Sequence, residues 1–94
     1  MKSLQKAAAF LVMIGLERGR SVLDLMDSDE IKTVVDAIGK LPALTPEMQQ
    51  LVWREFAALG YKEDMNPSDT LNAIRGLFNG SKISERAAAG WFQK

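Results

Sequence analysis

Lys6-Ala7-Ala8-Ala9-Phe10-Leu11-Val12-Met13-Ile14-Gly15 is the stretch that decides how this chain folds. The eight residues between the lysine and the glycine are all apolar. A bilayer span needs about 20 such residues, so the run reads as a helix of a globular protein and predicts no membrane insertion. Ser3 is expected to cap this helix, and Gly15 supplies the left-handed backbone that ends it. A surface helix normally carries one apolar stripe and one polar face. This one is apolar on every side, so either other helices enclose it completely or one side is left for a partner's helix. Leu4, Leu11 and Ile14 mark the inward side. Ala9, Phe10 and Met13 mark the side expected to stay partly open.

Working outward, capping signals divide the chain into about six short helices. A second helix is expected from about Glu17 to Met26, with Val22, Leu25 and Met26 as its inward stripe. Ser28, with Asp29 and Glu30 in the first turn, is read as the cap of a third helix. Its Ile31, Val34, Val35, Ile38 and Leu41 recur at helical spacing, and Pro42 ends it. Thr45-Pro46-Glu47 places a hydroxyl cap, a first-turn proline and an acid in the order a helix start favours. The fourth helix then runs to Leu59, before Gly60. Asn66-Pro67-Ser68-Asp69 repeats the logic for a fifth helix through Phe78, and Ser81 or Ser84 opens a sixth. No segment alternates with the period of a strand. The expected architecture is all-α, a compact array of stacked helical hairpins forming one domain over residues 1–94.

The composition narrows the function. The chain of 94 residues has no cysteine and no histidine. It therefore lacks disulfides, thiolate ligands and the commonest general base, which argues against an enzyme and against a bound metal or other cofactor. Twelve basic residues balance twelve acidic ones, so the positive field that draws proteins to nucleic acid is missing. No basic recognition helix of a helix-turn-helix protein is present either. The charges are unevenly spread. Asp24, Asp27, Asp29, Glu30 and Asp36 face only Lys32 between residues 24 and 36, whereas Arg75, Lys82, Arg86 and Lys94 outweigh Glu85 toward the end. Two solvated helix surfaces explain this, and so does head-to-tail contact between copies. Asp27, Asp29 and Glu30 lack the glycine and distal glutamate of a calcium loop and are read as capping acids. With no secretory cleavage pattern after residue 15, a cytoplasmic location is expected.

Three aromatic positions stand out. Met48, Leu51, Val52, Phe56 and Leu59 form a broad apolar arc on the fourth helix, with Trp53 at its edge, either packed into the core or exposed as an anchor. Glu55 falls within that arc and is expected either to snorkel to solvent or to pair with a lysine or arginine. Trp91 and Phe92, near the end, either fold back on the fifth helix or form a contact surface.

The ordered series Lys6 to Gly15, Glu17-Arg18, Val22-Leu23, Met26, Asp29-Glu30-Ile31 and Trp53-Arg54-Glu55-Phe56 resembles the N-terminal domain of the flagellar motor switch protein FliG. Members share a lysine before an apolar helix ending in glycine, then an acid-arginine pair, then Glu-Ile or Glu-Val opening the third helix. Arg20, Leu25 and Gly39 depart from the pattern; a small residue is usual at the first of these positions. The resemblance implies a right-handed, armadillo-like superhelix at the cytoplasmic face of the cell membrane. It implies a part in motility and chemotaxis, in which the domain anchors the C-ring to the MS ring by gripping the C-terminal cytoplasmic tail of FliF, with neighbouring copies packed in a ring. Ala9, Phe10, Met13, Trp53, Trp91 and Phe92 are the expected partner-binding residues. The alternative is a helical regulatory domain like those of magnesium transporters, which would bind a cation at the acidic stretch 24–36.

Overall fold

A computed structural model describes residues 2–78, which form five α-helices and no strand. They are α1 (Ser3–Met13), α2 (Leu16–Leu23), α3 (Ser28–Gly39), α4 (Pro46–Ala58) and α5 (Pro67–Gly76). The expected sixth helix lies outside the described residues.

The helices start where side chains satisfy the first free backbone N–H groups. Thr45 Oγ1 accepts from the N–H of Met48 at 3.2 Å, and Asn66 Oδ1 accepts from that of Asp69 at 2.8 Å. Pro46 and Pro67 occupy the first turns of α4 and α5. Two expected caps move by one residue. Asp27, not Ser28, caps α3: its Oδ1 accepts from the Glu30 N–H at 2.8 Å, while Glu30 Oε1 accepts from the Asp27 N–H at 3.3 Å. This reciprocal box closes the turn more completely than a serine within the helix would. Lys2, not Ser3, precedes α1, its N–H bonded to Gln5 Oε1 at 3.1 Å.

Helix ends follow the glycines. At Gly60, with φ of 96°, the Tyr61 N–H reaches back to the Phe56 carbonyl at 2.9 Å and the Gly60 N–H to that of Ala57 at 3.1 Å. This left-handed stop turns the chain so that the Tyr61 ring lands edge-on against Phe10, 4.8 Å between centroids. Gly15, with φ of 98°, ends α1 and at once begins α2, which stops at Leu23 rather than at Met26. α3 ends at Gly39, three residues before Pro42.

α1 is the hub, in contact with α2, α3 and α4, while α5 packs on α2. Ala7, Ala8, Ala9, Phe10 and Leu11 are all buried. Phe10 stacks on Phe56 of α4 at 3.9 Å, and Val22, Met26, Val34, Val52, Leu71, Ile74 and Phe78 complete the core around them. Leu25 and Val35 are exposed, contrary to the stripes read for the second and third helices. α2 is too short to turn Leu25 inward, and Val34 already occupies the buried line of α3.

Two ion pairs tie distant elements. Lys6 Nζ of α1 meets Glu55 Oε2 of α4 at 2.7 Å, which neutralises the carboxylate expected within the apolar arc. Glu30, wholly buried, receives Arg75 of α5 through Nη2 at 2.7 Å and Nε at 3.2 Å. The second pair was not expected from the sequence, which showed Glu30 only as a capping acid.

Candidate partner-binding surface

Where α1 turns into α2 the apolar character of the first helix breaks through to solvent. Gly15 reverses the chain in the space of one residue, and the next side chain, Leu16, is 88% exposed. Val12, one turn earlier on α1, is 48% exposed. α2 then settles closely on α1, because Gly19 carries no side chain: a Cβ there would lie 2.8 Å from the Leu11 carbonyl oxygen. The close approach leaves a groove of about 430 Å³ with Leu11 and Ile38 beside Val12, Leu16 and Leu23. The charged side chain that lines it is Arg20. Leu16, Gly19, Arg20 and Leu23 stand at the spacing of one helical face, so α2 offers one edge of the groove.

The expected partner-binding residues distribute differently. Ala9 and Phe10 have no solvent exposure and are corrected to core positions. Phe10 is enclosed by aromatic rings, stacked on Phe56 and met edge-on by Tyr61 and by Trp53. The side of α1 expected to be open is therefore the side α4 covers. Met13 is half-buried and lies with Trp53, Ile14, Arg18, Tyr61 and Glu63 around a smaller depression of about 340 Å³. Trp53, 40% exposed, stands at the rim with its ring 6.3 Å from that of Tyr61. Arg18 is held there by its Nη1 donating to the Glu63 carbonyl at 2.8 Å. Trp91 and Phe92 lie outside the described residues.

Val12, Leu16 and Leu23 were missed from the sequence. The available signal was Leu16 itself, a large apolar residue placed directly after a helix-ending glycine, where the tight turn leaves little room to bury it.

The acidic stretch has other employment. Asp27 and Glu30 close the cap of α3, Glu30 also holds Arg75, and Asp36 pairs with Lys40 at 3.1 Å. The Arg75 pKa is raised above its ordinary value, chiefly by the hydrogen bond to Glu30 and further by the charges of Glu30 and Asp27, against a lowering by burial. Among the described residues no three acids gather where they could hold a metal ion, so the acidic stretch offers the cation-binding alternative no assembled site. Nor is any described helix long and apolar enough to cross a membrane.

A family model described as the FliG N-terminal domain matches residues 1–89 of the chain. No curated protein and no solved structure matches it.

Proposed function

The chain belongs to the FliG N-terminal domain family, a component of the flagellar motor switch, and from this premise we propose that it is a non-enzymatic docking module that grips the C-terminal cytoplasmic tail of FliF. In that role it anchors the C-ring to the MS ring at the cytoplasmic face of the cell membrane. The observation that carries the reading is the groove between α1, α2 and α3, with Leu16 almost wholly in solvent beside Val12 and Leu23. A contiguous exposed apolar patch on a small domain is the mark of a partner surface. A groove walled by helices suits an amphipathic helix, whose apolar residues at helical spacing drop between the walls. A tail disordered alone would fold as it binds, so part of the gain from apolar burial would be lost to ordering.

Packing of neighbouring copies in a ring belongs to the same proposal, supported by the acidic surface at Asp24, Asp29 and Asp36, all exposed on one stretch of the chain.

The test is calorimetric titration of the cognate FliF tail peptide into the 94-residue chain, with circular dichroism of the mixture. Saturable binding, a negative heat-capacity change and a gain of helix beyond the sum of the parts are expected. Leu16→Asp should abolish binding while leaving the melting temperature nearly unchanged, since the side chain is already in water. No binding by the unaltered chain would remove the FliF assignment. Loss of binding with Trp53→Asp but not with Leu16→Asp would move the partner to the side of α1 where Met13 and Trp53 flank the smaller depression.

A further inference from the structure

The groove is not uniformly apolar, and Arg20, the one charged residue among the described residues that line it, places a demand on whatever fills it. Arg20 projects from the exposed face of α2 between Leu16 and Leu23. Among the described residues it has no ion pair and no side-chain hydrogen bond, although Asp24 follows one turn later on the same helix. Arg18 and Arg75, by contrast, are both engaged, Arg18 by the Glu63 carbonyl and Arg75 by Glu30. In the free protein the Arg20 guanidinium is solvated and costs nothing. Once an apolar helix closes over Leu16 and Leu23, water around that guanidinium is displaced, and an unpaired charge in such a place is strongly unfavourable.

We propose that Arg20 selects the occupant of the groove: an amphipathic helix carrying a carboxylate among its apolar anchors, placed to meet the guanidinium as Leu16 and Val12 are covered. This rests on the reading of the groove as the partner site. A carboxylate satisfies the arginine through two parallel N–H···O bonds and so fixes the register of the incoming helix as well as its charge. An arginine suits such a wall, since its apolar stem can lie along neighbouring leucines while its charged head stays at the edge. A second copy docking through the same groove is disfavoured by the same charge. A two-fold contact sets each patch against itself, and the two Arg20 side chains would then meet with no acidic residue among the described residues that line either groove to separate them. With no strand among the described residues, the occupant has no sheet edge to extend either.

The experiment titrates the cognate FliF tail peptide into the 94-residue chain and its Leu16→Asp, Arg20→Ala and Arg20→Glu variants at low and high salt, with melting curves confirming that each variant folds. A second peptide set replaces each acidic residue of the tail by lysine, one at a time. Arg20→Glu is expected to weaken binding roughly tenfold or more at low salt, with Arg20→Ala between it and the unaltered chain and the difference shrinking as salt rises. One lysine-bearing peptide should bind Arg20→Glu more tightly than it binds the unaltered chain, a reversal that a purely structural role for Arg20 would not produce. If Leu16→Asp abolishes binding but both Arg20 variants bind within about twofold of the unaltered chain, the charge requirement is overturned and the partner reading stands. If the unaltered chain binds nothing, or Leu16→Asp binds as well as it does, the partner reading falls and the charge requirement with it. Self-association of the unaltered chain that Arg20→Glu abolishes would assign the groove to the acidic surface of a neighbouring copy and overturn the proposal.

Discussion

Gly19 shows how one absent methyl group sets the distance between two helices. An alanine usually favours a helix over glycine by about 1 kcal/mol. At position 19 its Cβ would press on the Leu11 carbonyl oxygen, a backbone atom that cannot swing aside as the end of a side chain can. Overpacking of this kind costs typically about 1–3 kcal/mol, which exceeds the gain in helix propensity. Gly19→Ala is therefore expected to lower stability by roughly 1 kcal/mol or more. It should also weaken partner binding, since α2 would be pushed off α1 and the groove wall with it. Gly39 is the matched control. It is exposed at the end of α3, and a Cβ there would meet nothing within 4 Å, so Gly39→Ala should be neutral or stabilising by up to about 1 kcal/mol. Urea denaturation of the two variants beside the parent checks both signs.

At the scale of the element, the helix starts were legible because cap chemistry is local. Thr45-Pro46 and Asn66-Pro67 each hold within four residues everything that a helix start needs. Asn66→Ala should cost about 1 kcal/mol, measurable as a drop of some 4–8 °C in melting temperature, by releasing the Asp69 N–H. Where two capping residues stood side by side, as at Asp27-Ser28, the sequence did not show which would lead. The choice fell to Asp27 because only that register lets Glu30 both complete the box and turn into the core toward Arg75. The candidate surface was less legible than the helices. That α1 is apolar on all sides was plain, but which side stays open depends on where α3 and α4, both later in the chain, pack against it. α4 took the Phe10 side because Phe56 offered a ring to stack on it, and Lys6 with Glu55 locked the pair. Met13 and Trp53, two of the expected partner-binding residues, lie together around one depression, at the margin of this same packing.

At the scale of the whole molecule, the Glu30–Arg75 pair joins α3 to α5, two helices far apart in sequence, across the end of the bundle. Replacing Arg75 by methionine would leave the wholly buried Glu30 without its guanidinium, and breaking such a pair costs about 3–5 kcal/mol. This is a large share of the stability of a domain of this size. The double replacement of Glu30 and Arg75 by Met is expected to recover much of the loss, because the desolvated charge then disappears with its partner, although the cap of α3 would remain weakened. The raised pKa of Arg75 fixes the pH behaviour of its contribution. A group whose folded pKa is raised loses its stabilising effect only as pH climbs through that value, here in strongly alkaline solution, so titration of Arg75 should add no pH dependence to the unfolding free energy near neutrality. Thermal and urea melts of the parent and the single and double variants decide the point.

The central place of α1 also has a consequence for synthesis. This helix leaves the ribosome before everything that will enclose it, and the Phe56 that covers Phe10 follows 46 residues later. At roughly 5–20 residues per second, the most apolar segment of the protein is without its cover for about 2–9 s in every round of translation. During that interval it is an oily helix with no polar face to keep it apart from its neighbours on the polysome. A factor that shields nascent apolar segments would have its strongest claim on this stretch, and its hold should end when α4 emerges.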